Sequence, residues 1–370
     1  MRVDAIALRE LSMPLKSFFE TSFGRQYDRC PIMVEMRSGD LTGYGEVVTM
    51  ASPWYNEETT NSAWVILHDN LIPAILGKDF ATPRDLVQAL APFRRNNMAK
   101  AGLEEAFWDL YAKSLGQPLW QALGGEASKT RIPVGVSVGI QDRLEDLVRT
   151  VGGFVDKGYQ KIKIKIKPGW DYEVMKALRQ NFADIPIMAD ANSAYSLKDI
   201  DLFRRLDQFG LMMIEQPLAH DDIIDHVKLQ SAITTPICLD ESIHTPEDAR
   251  KALEIGACRI INVKVGRVGG LTAVQEINAI AAAHGAPIWC GGMLETGIGR
   301  AINVHLTTLA QFKLPGDTSA TDRYFARDIT EHFCLNDDGT LSVPNGPGIG
   351  VRINEEALQG YTVRTQMFTA

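Results

Sequence analysis

Apolar and polar positions alternate along two different periods, and the change from one to the other divides the chain. Near the start, apolar residues recur at every second position through Val3 to Leu8 and again through Ile32 to Met36; after Ser38-Gly39-Asp40 a further run leads through Tyr44 to Val48. A period of two interrupted by a glycine turn predicts a small antiparallel sheet with a hairpin. Ala101, Leu103, Ala106, Phe107, Leu110, Ala112 and Leu115 then fall at helical spacing, with Gly116 near the end of that helix. Strands followed by helices make an α+β unit over residues 1–125, closed off where Gly124 and Gly125 interrupt both periods.

From Arg131 the pattern becomes a short apolar strand, a few loop residues and a helix, repeated. Predicted strands end near Ser137, Lys165, Asp190, Glu215, Asp240, Lys264 and Cys290, at intervals of 28, 25, 25, 25, 24 and 26 residues, and an eighth is expected near Asp317 to Ala320. Helices such as Ile200 to Phe209 and Pro246 to Gly256 fit an outer ring, so the fold class expected is α/β, a TIM-like barrel over residues 126–325. Leucine-rich horseshoes have a similar period, but the Leu-x-x-Leu-x-Leu-x-x-Asn pattern is absent and the intervals hold full helices. Residues 326–370, with the turn Asn336-Asp337-Asp338-Gly339, fall outside the repeat and are expected to return to the N-terminal unit.

Composition narrows the field. With 45% apolar and 23% charged residues, the chain reads as globular. Its 38 basic and 46 acidic residues give a net charge of −8, which is no footprint for nucleic acid or an anionic membrane. Asp4, Arg9 and Glu10 break up any signal-peptide core, and no run is apolar enough to span a bilayer. The five cysteines are odd in number and scattered, as expected of reduced core residues in a cytoplasmic protein.

Each predicted strand from the second to the sixth ends on an ionisable residue: Lys165, Asp190, Glu215, Asp240 and Lys264. In a strand-helix barrel these C-terminal ends ring one mouth, so the five should converge. Three carboxylates brought together repel unless protonated or bridged by a cation. An all-oxygen set favours a hard metal, Mg²⁺ first and Mn²⁺ next, and the seven histidines show no His-x-x-x-His pair that would suggest zinc. Taken singly, each acid is a solvated strand end or a helix cap, and Asp190-Ala191-Asn192-Ser193 is the stretch most open to that reading.

Lys161, Lys163, Lys165 and Lys167 alternate with isoleucines, so they share one strand face. On an open sheet this is a protected edge; inside a barrel the lysines point inward, with Lys165 nearest the mouth. Burial and the like charge of Lys163 should lower the pKa of Lys165 and make it a base. Lys264 ends the sixth strand, half a turn of the ring away, so the two lysines face each other with the acids between. A substrate carboxylate at the metal then offers its α-carbon to a lysine on either side. Arg267 either tunes Lys264 or is a surface loop charge. Ser137 ends the first strand, and the Gly291-Gly292-Met293 loop after the seventh either offers backbone N–H groups to a substrate anion or is a loop whose glycines serve unusual dihedrals.

On these residues the chain resembles the muconate-lactonising subgroup of the enolase superfamily, whose signature is Lys163-x-Lys165 followed by Asp190, Glu215, Asp240 and Lys264. Over cap and barrel alike it is more closely similar to the o-succinylbenzoate synthase and N-acylamino acid racemase family. Asn96-Asn97-Met98-Ala99-Lys100, Lys165 to Asp171, Asp190-Ala191-Asn192, Ile214-Glu215-Gln216-Pro217, Leu239-Asp240-Glu241-Ser242 and Gly291 to Gly297 carry that likeness. The resemblance implies a modified (β/α)7β barrel under an α+β capping domain made from both termini. Loops near Ser22 to Arg25 and Pro53 to Glu57 are then expected to close over the substrate, with Asn192 and Glu241 in supporting roles.

The activity implied is metal-dependent dehydration of 2-succinyl-6-hydroxy-2,4-cyclohexadiene-1-carboxylate to o-succinylbenzoate through an enediolate, a step of menaquinone synthesis. In that role Lys165 moves the proton and Lys264 stabilises the enolate; family members also racemise N-succinyl and N-acyl amino acids with both lysines as bases. Racemisation as the main role, dipeptide epimerisation and cycloisomerisation are the alternatives; Asp317 and Asp322 are candidate acids for a dipeptide ammonium. A non-catalytic metal scaffold would need neither lysine. The expected partners are a small carboxylate and further copies of the chain.

Overall fold

The computed structural model describes residues 1–370. Ala5–Leu11, Ile32–Ser38 and Leu41–Val47 form the predicted antiparallel sheet, and Thr362–Thr369 adds its outer strand beside Ala5–Leu11. Helix Asn97–Ser114 lies directly on this sheet because glycines remove the side chains in between. A Cβ on Gly43 would stand 2.1 Å from the Ala106 carbonyl oxygen, and one on Gly45 2.1 Å from that of Gly102. Ile6, Leu8, Val34, Met36, Leu103 and Phe107 fill the space around this contact.

A second hairpin, Met13–Thr21 with Gly24–Arg29, was not evident in the apolar pattern. Its register breaks between Pro14 and Phe19 and few of its residues are buried, so it carries little alternation to read. It leans over the barrel, where the Ser22 hydroxyl donates to the Asn192 carbonyl at 3.3 Å. Beside it, Trp54 packs on the hairpin tip: a Cβ on Gly24, whose φ is +148°, would lie 3.0 Å from the indole.

Seven parallel strands follow in ring order: β1 (Val136–Val138), β2 (Ile162–Lys165), β3 (Ile187–Asp190), β4 (Ile214–Glu215), β5 (Ile237–Leu239), β6 (Ile260–Val263) and β7 (Ile288–Cys290). Their apolar outward positions pack against the surrounding helices in one large core. Inside, Met188, Met213, Cys238, Ile260 and Trp289 make an apolar floor. The eighth stave lies a few residues earlier than expected and is not a regular strand. Phe312 bridges to Ile288 and Gly316 to Val134, so Gln311 to Asp317 closes the ring. Asp317 stands at the end of this closing segment, its N–H donating to the Cys290 carbonyl at 2.8 Å.

The C-terminal segment divides between the two parts of the molecule. Thr340–Ser342 pairs with Arg131–Pro133 at the foot of the barrel, whereas Thr362–Thr369 completes the cap sheet. No helix is long and apolar enough to cross a membrane.

Candidate active site

The strand ends bring the predicted residues together by register. Lys165 of β2 pairs with Asp190 of β3, and Asp190 with Glu215 of β4. Asp240 and Lys264 follow β5 and β6 directly. All five are buried. After these strands the chain turns sharply: Asn192 has φ 41° and Gln216 φ 37°, both left-handed, as does Leu294 at 59° after β7. Such conformations persist where surrounding bonds impose them, commonly at functional sites. Asp190 caps no helix, since the next helical turn begins after Ser196.

The acids are turned toward cations. Lys165 donates to Asp190 Oδ2 at 2.6 Å and to Asn192 Oδ1 at 2.5 Å. Lys163 lies 3.1 Å from Asp190 and 3.2 Å from Glu215. Lys264 donates to Asp240 Oδ2 at 2.8 Å, while Asp240 Oδ1 accepts from Arg267 Nη1 and, at 2.9 Å, from the Tyr55 hydroxyl. Glu215 Oε1 accepts from Asn262 Nδ2 at 2.6 Å. Asn192 Nδ2 donates to Glu241 Oε1 at 2.8 Å, leaving Glu241 Oε2 buried without a partner.

These contacts set the electrostatics. Burial would raise the Asp190 carboxyl, but Lys165 and Lys163 outweigh it and hold the group well below the usual range. Glu215 is raised, by burial first and then by Asp190. Lys165 is lowered by burial, only partly offset by Asp190, with the like charge of Lys163 adding to the fall. Lys264 moves the opposite way: burial pulls it down, but the Tyr55 side chain, 4.2 Å from the ammonium at its ring centre, and Glu241 lift it above its ordinary value. Two lysines facing one cavity are therefore unequal.

Several expectations change. Lys161, Lys163 and Lys165 point into the barrel, but Lys167 leaves it and reaches Glu20 of the hairpin at 3.5 Å. Arg267 is buried, not a surface loop charge; it donates to the carbonyls of Ile243 at 2.7 Å and Asn262 at 2.5 Å and meets Lys264 through Asp240. The Gly291-Gly292-Met293 loop does not present a row of free N–H groups. Gly291 N–H donates to the Val263 carbonyl at 2.9 Å and Met293 N–H to Glu295 Oε1 at 2.7 Å, leaving Gly292 and the Met293 side chain to line the cavity. Ser137 lines it too, with its hydroxyl unpartnered. Tyr55, Asn262 and Arg29 are contributors that no spacing announced; each comes from a segment whose neighbours are fixed only by the fold.

The fit to a divalent cation rests on donor chemistry. Three carboxylates on consecutive strand ends, with the free Glu241 Oε2 nearby, are the hard all-oxygen set such an ion takes. In this arrangement no three acid, imidazole or thiol groups converge on one point, because the lysines and Arg267 draw each carboxylate to themselves.

Comparison with known proteins extends over the whole chain. Residues 5–124 match the model of the mandelate racemase and muconate lactonizing enzyme N-terminal domain, and residues 146–357 that of the enolase C-terminal domain-like family. An o-succinylbenzoate synthase of Geobacillus kaustophilus is 50% identical over 100% of this chain and 98% of its own length. An N-succinylamino acid racemase of Thermus thermophilus is 49% identical, covering 100% of both. The solved structure of an enolase superfamily member from Listeria innocua superposes with a TM-score of 0.96 at 39% identity, covering 100% of this chain and 99% of that one.

Proposed function

The chain belongs to the mandelate racemase and muconate lactonizing enzyme family of the enolase superfamily, and from that premise we propose that it is an o-succinylbenzoate synthase that also racemises N-succinyl and N-acyl amino acids. The observation that carries this reading is the pair of buried lysines reaching one cavity from β2 and β6, with three strand-end carboxylates on the staves between.

Asp190, Glu215 and Asp240 would hold the metal, Mg²⁺ by its all-oxygen donors. A divalent cation bound there supplies Lewis-acid stabilisation of charge developing on the substrate carboxylate. Lys165, with its pKa lowered, takes the proton from the α-carbon and in the dehydration returns it to the departing hydroxide. Asn192 holds Lys165 in place, and Glu241 holds Asn192. Lys264, kept charged beside Tyr55, stabilises the enolate by its positive charge; in racemisation it delivers or removes the proton on the opposite face. Arg267 and Tyr55 fix Asp240, the carboxylate that Lys264 touches.

A dipeptide ammonium is disfavoured by the fate of Asp317. Its two oxygens lie 3.1 Å from Lys161 and 2.6 Å from Lys163, so this acid is already neutralised, and Asp322 sits outside the catalytic cavity. The proposed setting is menaquinone synthesis in the cytoplasm, in a homo-oligomer. Purified protein with Mg²⁺ should convert the cyclohexadiene substrate and exchange the α-proton of N-succinyl amino acids with deuterium from solvent. No turnover of either compound would overturn the reading.

A further inference from the structure

Four cations touch the carboxylate trio: Lys165 meets Asp190, Lys163 meets Asp190 and Glu215, and Lys264 and Arg267 meet Asp240. A divalent cation taken up by those oxygens competes with all four, and like charges in a buried site repel strongly. Each of the four has an acceptor outside the trio. For Lys165 it is Asn192 Oδ1 at 2.5 Å, for Arg267 the carbonyls of Ile243 and Asn262 at 2.7 and 2.5 Å, and for Lys264 the face of Tyr55, 4.2 Å away. These acceptors are neutral. Lys163, the one cation that touches two of the three acids, has a charged one: Asp317 Oδ2 at 2.6 Å, nearer than Asp190 at 3.1 Å or Glu215 at 3.2 Å.

The ring places this acid on the side away from the trio. Lys163 stands on β2, with Asp190 and Glu215 following on β3 and β4, whereas Asp317 ends the closing segment that joins β1 on the other flank. Asp317 therefore draws the ammonium group along the ring, away from the other two carboxylates. Its backbone is held from two directions. Its N–H donates to the Cys290 carbonyl at 2.8 Å, and its carbonyl accepts from Arg300 Nη1 of helix Gly297–Leu306 at 3.1 Å.

The second oxygen of Asp317 lies 3.1 Å from Lys161. That ammonium rests on the Trp289 ring, 3.5 Å from its centre, and touches none of the trio. Burial would raise the Asp317 carboxyl, yet Lys161 and Lys163 hold it down to about 2, so it is charged at any ordinary pH.

We propose that Asp317 is a positioning residue of the metal site: it takes up the charge of Lys163, so that Asp190 and Glu215 can be given over to a divalent cation. The inference rests on the reading above that the trio holds the metal. The test is the Mg²⁺ dissociation constant of the intact protein, measured by calorimetry across a double-mutant cycle. Asp317→Asn should raise it at least about tenfold, the scale of a lost partner behind a metal ligand. With Lys163→Met already in place, the same substitution should change it by less than about threefold, since no ammonium group remains to be diverted.

A purely structural role predicts equal losses in both backgrounds, and so does a direct pull of the Asp317 charge on Mg²⁺. Equal losses overturn the proposal, as does an unchanged constant in Asp317→Asn. If the wild type takes up no Mg²⁺, the metal reading falls and this role with it; uptake by the wild type that Asp317→Asn does not weaken removes this role alone. Should Asp317→Asn fold poorly, a crystal structure of the wild type with Mg²⁺ decides. Lys163 Nζ should stand nearer to Asp317 than to Asp190 or Glu215, and the reverse order would sink the idea.

Discussion

Two regions of this molecule bury carboxylates, and they treat them in opposite ways. At the barrel mouth Asp190, Glu215, Asp240, Glu241 and Asp317 lie among Lys161, Lys163, Lys165, Lys264 and Arg267, five acids among five cations. Within the cap and along its seam with the barrel, Glu46, Glu58, Glu104 and Glu105 are held chiefly by peptide N–H and hydroxyl groups, Glu46 and Glu104 reaching barrel helices and Glu58 and Glu105 reaching residues of the cap. Glu46 accepts from Gly299 N–H at 2.9 Å and from Thr296 at the start of helix Gly297–Leu306. Glu104 accepts from Leu271 N–H at 2.7 Å and Thr272 N–H at 2.8 Å, opening helix Leu271–Ala283; Glu58 does the same for Asn97–Ser114 through Met98 and Ala99. All four of these carboxyls are pushed up by burial, Glu46 to about 7; at the mouth burial also raises Glu215 and Glu241, but Asp190 and Asp317 are driven down by the lysines they touch.

The difference separates anchoring from chemistry. A helix N-terminus offers fixed dipoles that hold an acid whether or not it is charged, and so joins cap to barrel. A close ammonium group favours the ionised acid, as at Asp190 and Asp317, and is itself tuned in return. Burial of an acid is common to both regions; the nature of its partner assigns the role.

The comparison breaks most visibly at Lys165. Lys165→Ala should reduce turnover by roughly 10³-fold, the scale of a lost general base, with folding retained by circular dichroism; unchanged turnover would remove the mechanism. Next, Asp190→Asn should weaken Mg²⁺ binding by at least about 10- to 100-fold in calorimetry, whereas Glu46→Gln leaves it unaltered. Chelation should abolish activity and added Mg²⁺ restore it.

The seam has its own signature in pH. Glu46 keeps its proton to about 7 in the folded protein and loses it near the ordinary carboxyl value when unfolded. Between those values the folded state binds more protons, so stability falls as pH rises from about 5 to 7, by an amount on the order of 2–3 kcal/mol. Urea unfolding of Glu46→Gln across that range should lack this component; an identical pH slope in both proteins would count against it. The smallest effect expected is at Tyr55→Phe, which removes one hydrogen bond to Asp240 and should cost about 1 kcal/mol, a fewfold loss of kcat/KM.

The strand ends at Lys165, Asp190, Glu215, Asp240 and Lys264 were legible because the strand-helix repeat fixes side-chain direction and spacing together. Arg267 illustrates the limit: an arginine three residues past a strand reads as loop charge or active-site group until Tyr55 and Asp240 are seen beside it. Glu46, Glu58 and Glu104 are invisible in the sequence for the same reason, since their partners are N–H groups at helix starts up to 253 residues away. The hairpin strand Met13–Thr21 shows no period because only its two end residues are buried.

One stave of the barrel is a makeshift. Gln311 to Asp317 joins its neighbours by isolated bridges at Ile288 and Val134 in place of a continuous ladder. Breathing of the native protein should begin there, and amide deuteration should run ahead in this stretch of that in β2. Since Asp317 ends the segment and grips Lys161 and Lys163, each such opening would briefly loosen the charge network beneath Lys165, making this join the route by which heating inactivates the protein before it melts.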